Sequence, residues 1–132
     1  MIRTNACFGP SSSRSPSFVE KALAALRAGE RFVAAADVVA SATYLPDLVH
    51  HSLDLLIDGE RGLWHLTNRG TISFGELAAH AARACTVPTD TLVRGSIADA
   101  TPPCVIALAT ERTVHMPPLE DALIRYARTS AA

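Results

Sequence analysis

Ile2-Arg3-Thr4-Asn5-Ala6-Cys7-Phe8-Gly9-Pro10 is the stretch on which the fold turns. Ile2 to Phe8 is short and largely uncharged, and Gly-Pro closes it, so it reads as a buried strand running into a loop. Ser11 to Ser15 is a polar tract too short to link domains. From Pro16 the period changes: Phe18, Ala22, Leu23 and Leu26 share a helical face, Ser17 and Glu20 have capping-box spacing, and Gly29 stops the helix. Arg31 to Ala35 reads as a second short strand, and Asp37 to Tyr44 as irregular.

Further out, Pro46 suits a first helical turn, and Leu48, Val49, Ser52, Leu53 and Leu56 form the inward stripe of a helix ending at Asp58-Gly59. Gly62 to Leu66 has strand character. Ser73 and Glu76 repeat the capping box ahead of a helix that buries Phe74, Leu77, Ala78 and Ala81. Strand-like pieces follow at Leu92-Val93 and at Val105 to Leu108. Pro117-Pro118 opens a last helix, with Leu119, Ala122, Leu123, Tyr126 and Ala127 inward. In that helix Glu120 and Asp121 lie at the start and Arg125 and Arg128 nearer the end, as the helix dipole favours. Strands alternating with about four helices give an α/β class. The three or four strands are few and short, and an apolar strand as first element fits the later half of a larger α/β protein.

The sequence has 132 residues, 48% hydrophobic and 19% charged, which excludes disorder over the whole length and fits one domain, residues 1–132. Twelve cations against thirteen acids give a formal charge of -1, without the field a general nucleic-acid binder needs. Lys21 is the only lysine; the arginine bias with abundant alanine points to a GC-rich bacterial genome rather than a phosphate-binding surface. Cys7, Cys85 and Cys104 share no CxxC spacing, so neither a zinc site nor a disulfide framework is implied and a cytoplasmic location is expected. No apolar run approaches the roughly 20 residues that span a bilayer, and Met1-Ile2-Arg3-Thr4 does not begin a signal peptide, so no membrane partner is expected.

Much familiar chemistry is missing. No GxGxxG, GxxGxxG or GxxxxGK spacing passes through the seven glycines, so no dinucleotide site is expected in this chain. Neither tyrosine has a lysine four residues later, and GxSxG and HExxH are absent. His50 and His51 diverge on a helix and cannot share one ion. Asp47 with His51, and His50 with Asp54, suit either surface ion pairs or a catalytic dyad. His65 reads as a hydrogen-bonded structural residue, His80 and His115 lack candidate partners nearby in sequence, and Cys85 and Cys104 read as small apolar groups.

Five segments, taken together, carry a resemblance: Arg3 to Pro10; Ser17-Phe18-Val19; Thr43-Tyr44-Leu45-Pro46-Asp47-Leu48-Val49; Gly62-Leu63-Trp64-His65-Leu66-Thr67-Asn68; and Met116-Pro117-Pro118-Leu119-Glu120-Asp121-Ala122-Leu123. In order and spacing the chain resembles the C-terminal, substrate-binding half of dTDP-4-dehydrorhamnose reductases, which are extended short-chain dehydrogenases. Such enzymes bind NADPH and hold the catalytic tyrosine and lysine in an N-terminal Rossmann half, while the smaller half closes over the sugar nucleotide. The resemblance implies that this chain begins just after the catalytic helix. It also implies a sugar-nucleotide ligand, no catalytic residue and no cofactor in this chain, NADPH being expected only with a Rossmann half supplied as a separate chain.

Asn5, Phe8, Ser17, Phe18, Thr43 and Tyr44 are the implied substrate-binding residues. The strand ending at Phe8-Gly9 feeds a loop of the kind in which open α/β sheets place ligands. Asn5 would bond a sugar hydroxyl or phosphate, or else satisfy a strand-end backbone group. Ser17 and Phe18 would frame the base. Tyr44 would reach the phosphates, or else Thr43 and Tyr44 merely position the next helix. Departures fall at Ala6, where the family usually has tryptophan, at Ala42, and at Pro102-Pro103 and Ile106, where polar positions are lost. Ala6 follows a related subgroup with a small residue there, while the losses at Ala42, Pro102 and Ile106 motivate the alternative of a non-enzymatic interaction module or decayed remnant that binds no nucleotide. An opening strand made for a parallel sheet would leave an unpaired edge, so self-association is expected.

Overall fold

In the computed structural model, which describes residues 1–10, 16–95, 104–106 and 116–130, the opening run is two strands rather than one. β1 is Ile2–Arg3 and β2 is Cys7–Phe8; then come α1 (Phe18–Arg27), β3 (Phe32–Ala35), β4 (Val38–Ala40), β5 (Thr43–Tyr44) and α2 (Leu45–Ile57). The order continues with β6 (Trp64–His65), β7 (Ile72–Ser73), α3 (Phe74–Ala84), β8 (Leu92–Gly95), β9 (Cys104–Ile106) and α4 (Leu119–Ser130). Ala6 breaks the opening run with a φ of 43°, and the Asn5 Oδ1 accepts from the Ala6 N–H at 2.8 Å. The two halves can therefore take different partners: β1 pairs in parallel with β6, β2 in parallel with β5. The expectation of a buried first strand fails at β1, both of whose residues are exposed.

The class is α/β, with four helices and more strands than the sequence suggested. β3 and β8 pair in parallel, and β4 lies between antiparallel β7 and parallel β9. The stretch from Asp37 to Tyr44, expected to be irregular, thus contains β4 and β5. Runs of two or three residues carry no readable period, and their partners come from distant segments.

Three of the four helices match their sequence patterns. At α1 the capping box closes: the Ser17 hydroxyl accepts from the Glu20 N–H at 3.3 Å and the Glu20 carboxylate from the Ser17 N–H at 2.9 Å. At α3 the hydroxyl half of the box is formed, Ser73 accepting from the Glu76 N–H at 3.1 Å. Leu119, Ala122, Leu123, Tyr126 and Ala127 of α4 are all buried. The main core fills the space between α1, α3, α4 and the β2–β5 pair, with Phe8, Leu23, Leu77, Leu123 and Tyr126 among its members.

The fourth helix departs from expectation. Of the stripe read as inward on α2, Leu48 and Ser52 are half-buried, while Val49, Leu53 and Leu56 are 56%, 52% and 75% exposed. Its buried residues are Asp47 and Leu55. Apolar residues occur at nearly every angle of α2, so periodicity alone cannot say which side faces in. The decision falls to Leu55, which packs with Trp64, Leu66 and Met116 in a second small core, and to Asp47.

Candidate functional site

Gly9 follows β2 and opens onto a cleft of about 420 Å³, which Pro10, Pro16, Glu20, Leu23, Arg27 and Tyr126 line together with Gly9. Gly9 is required there by a close approach, since a Cβ would lie 3.0 Å from the Leu45 Cβ. Glu20, Leu23 and Arg27 recur at helical spacing on one face of α1, so that helix forms a wall. Arg27 sits about 10 Å along the axis from Glu20, at 1.5 Å per residue. The cleft thus presents a cation at one end, a carboxylate at the other and apolar surface between. Its volume is in the lower part of the range for small-molecule sites.

The six residues chosen from the sequence do not converge on this cleft. Phe8 and Tyr44 are buried, their rings 5.4 Å apart and each edge-on to Tyr126, at 5.6 and 6.3 Å. Thr43 is fully enclosed; its hydroxyl donates to the Asn5 carbonyl at 2.8 Å and accepts from the Thr4 hydroxyl at 2.9 Å. These contacts are those of residues that position a helix. Asn5 turns its own side-chain oxygen to the Ala6 N–H, the strand-end role. Ser17 caps α1, and the Phe18 ring packs against Phe32 and Phe74 at 5.6 and 4.9 Å. Ala42 is enclosed and presents nothing to a ligand. Residues 11–15, Pro102-Pro103, the side chain of Ile106 and His115 lie outside the described residues.

Arg27 and Tyr126 went unselected because they come from a helix end and from α4, far apart in sequence. The signal available was the spacing Glu20, Leu23, Arg27, in which Arg27 had the ordinary reading of a last-turn cation.

Beneath β5 lies a polar knot. The Arg125 guanidinium grips Asp47 with two bonds, Nη1 to Oδ1 at 2.6 Å and Nη2 to Oδ2 at 2.7 Å. Asn68 donates to Asp47 Oδ2 at 2.8 Å and to the Pro117 carbonyl at 3.0 Å, and it accepts from the Tyr44 N–H at 2.7 Å. Burial pushes the Asp47 carboxyl up, but the bonds from Arg125 and Asn68 and the charge of Arg125 outweigh it and hold the group below its usual value. Arg125, expected only to suit the helix dipole, also bonds Asp121 at 2.9 Å, and its own proton is held chiefly by the bond to Asp47. The expected Asp47–His51 dyad is not formed between side chains: His51 Nδ1 meets the Asp47 backbone carbonyl at 2.8 Å. His50 and Asp54 form an exposed ion pair at 3.4 Å.

A second cleft, of about 450 Å³, lies between the starts of α3 and α4, with Arg69, Ser73, Glu76, His80 and Leu119 in its lining. His80 has a partner after all, Glu76 at 3.5 Å one turn earlier, and Glu76 also pairs with Arg94. Arg69, at the other side of this cleft, donates to the Met116 carbonyl at 3.2 Å. Burial pushes the half-buried Cys85 thiol up. No group of three metal-ligating side chains occurs among the described residues. No described helix is long and apolar enough to cross a membrane.

Each of the four described helix starts carries an acid in its first turn, Glu20, Asp47, Glu76, and Glu120 with Asp121, as the helix dipole favours.

The fold is that of part of an extended short-chain dehydrogenase. The dTDP-4-dehydrorhamnose reductase of Bacillus anthracis, solved in complex with NADP, superposes with a TM-score of 0.84 at 22% identity, over 97% of this chain and 47% of that one. The ortholog from Clostridium acetobutylicum gives 0.83 at 18%, over 99% and 48%. The dTDP-glucose 4,6-dehydratase of Bacillus anthracis, in complex with NAD, gives 0.73 at 12%, over 96% and 42%. The chain therefore spans about half the length of the solved structures it matches. No protein-family model matches it, and no curated protein does so by sequence.

Proposed function

We propose that the chain is the sugar-nucleotide-binding half of a dTDP-4-dehydrorhamnose-reductase-like protein, and that this half has no reductase activity without a cofactor-binding half. The observation that carries this reading is the superposition of nearly the whole chain on about half of the reductase fold. The cleft at Gly9 suits the chemistry. Arg27 would meet the diphosphate, the Glu20 carboxylate would accept from a hydroxyl or base N–H, and Pro10, Leu23 and Tyr126 would cover apolar ring faces. No step of hydride transfer is assigned to residues of this chain. A reducing cytoplasm suits the free thiols of Cys7 and Cys85 among the described residues.

Calorimetric titration with dTDP, dTDP-glucose and UDP-glucose tests the reading. Binding near micromolar is the expected result; no heat at millimolar ligand overturns it. Purified chain with NADPH and dTDP-4-dehydrorhamnose should leave the nicotinamide absorbance unchanged, and steady oxidation would refute the assignment of a half. The exposed stripe of α2 favours a second reading, an interaction module without nucleotide, and the same titration separates the two.

A further inference from the structure

We propose that the cleft between the starts of α3 and α4 binds a free α-amino acid with an aliphatic side chain; the site goes beyond the sugar-nucleotide reading and does not depend on it. This cleft and the one at Gly9 have no lining residue in common. Its volume, about 450 Å³, suits a small molecule.

Arg69 is fixed on one side of the cleft by both its backbone and its side chain. Its N–H donates to the Pro117 carbonyl at 3.2 Å, its carbonyl accepts from the Leu119 N–H at 3.1 Å, and its Nε donates to the Met116 carbonyl at 3.2 Å. Nε uses one donor of the guanidinium fork and leaves those on Nη1 and Nη2 for a ligand. Glu120 follows Leu119 directly, so the bond from Leu119 to Arg69 starts a carboxylate and a guanidinium from neighbouring points of the backbone. Both residues are exposed, and neither has an ion-pair partner among the described residues.

The polar groups on the α3 side are already engaged. Glu76 pairs with Arg94 and, at 3.5 Å, with His80, while the Ser73 hydroxyl caps α3. Half-buried Ile72 and buried Leu119 and Leu123 give the cleft an aliphatic floor.

These groups discriminate among occupants. A phosphate would bond Arg69 but face the carboxylates of Glu120 and Glu76, and a simple amine would bond Glu120 but face Arg69. A neutral apolar molecule would take water from both charges and return no partner. A molecule with an ammonium and a carboxylate on the same carbon satisfies both. The Arg69 fork takes its carboxylate, Glu120 accepts from its ammonium, and its side chain covers Ile72, Leu119 and Leu123.

Calorimetric titration with L-leucine, leucinamide and N-acetyl-L-leucine tests the proposal, because each analogue lacks one of the two charges. Leucine should bind with a Kd of about 1 mM or tighter, and each analogue about tenfold more weakly, as loss of one charge-assisted bond implies. Arg69→Gln and Glu120→Gln should each weaken leucine binding about tenfold, with the melting temperature unchanged because both residues are exposed. The analogues probe the unaltered chain, so the result does not hang on how a variant folds. A weaker or absent response to leucine, an analogue that binds as tightly as leucine, or full leucine affinity in either variant overturns the proposal.

Discussion

Replacing Arg125 with methionine tests the knot that joins α2, α4 and the Asn68 loop. The substitution keeps the stem and removes the charge, leaving the Asp47 carboxylate, 9% exposed, with Asn68 as its side-chain donor. Removing one partner of a buried pair typically costs about 3–5 kcal/mol. The Arg125 side chain is 34% exposed, so water would reach the stranded carboxylate and the cost falls to about 2–3 kcal/mol. That corresponds to roughly 8–12 °C in melting temperature for a domain of this size. The pH dependence is more diagnostic than the size. Asp47 has its folded value below the 3.8 of an ordinary aspartate, so its contribution is complete above that value and is lost as pH falls through the folded one. In the variant, burial is opposed only by the Asn68 bond and the weaker influence of His51, so the carboxyl rises relative to wild type and the deficit of the variant is largest at neutral pH and narrows on acidification. Urea melts at pH 7 and near pH 3.5 read this directly. A difference below about 0.5 kcal/mol at pH 7, or one that does not narrow in acid, refutes the account of the knot.

Asn68→Ala should cost about 2–3 kcal/mol by urea melt, because it strands the Tyr44 N–H and one Asp47 oxygen at a buried site. Ser17→Ala should cost about 1 kcal/mol through loss of the capping box, read in the same melts. Leu23→Ala in the core should cost about 2–5 kcal/mol, whereas Leu56→Ala on the outer side of α2 should stay within about 0.5 kcal/mol. Arg27→Ala should weaken dTDP binding by about 1.5–3 kcal/mol in calorimetry while leaving the melting temperature near that of the wild type.

What the sequence could and could not disclose follows from the kind of interaction involved. The capping box at Ser17, the hydroxyl cap at Ser73 and the stripe from Leu119 to Ala127 are local patterns, and each appears where the pattern put it, though at Ser73 only the hydroxyl half of the box is formed. The break at Ala6 was illegible, because an alanine with positive φ gives no compositional warning and is held by distant pairings on either side. The grip of Arg125 on Asp47 joins residues 78 positions apart, so Arg125 could be read only against its own helix. The cleft was legible in one half: the loop after Phe8-Gly9 was expected to line it, but its opposite wall comes from α1 and α4, whose residues carried adequate structural readings of their own.

The geometry of Phe8, Thr43 and Tyr44 bears on how a ligand would be held at all. With these three enclosed, the described polar groups on the cleft reduce largely to Glu20 and Arg27, both on α1. A ligand held by one helix wall retains rotational freedom about that wall, and the entropy of fixing it is offset by few contacts. Affinity for a bare nucleotide should therefore come mainly from the Arg27–phosphate bond, with weak discrimination between thymine and uracil. Discrimination between sugars would require polar groups opposite α1. The chain by itself should therefore show affinity with little preference among sugar nucleotides.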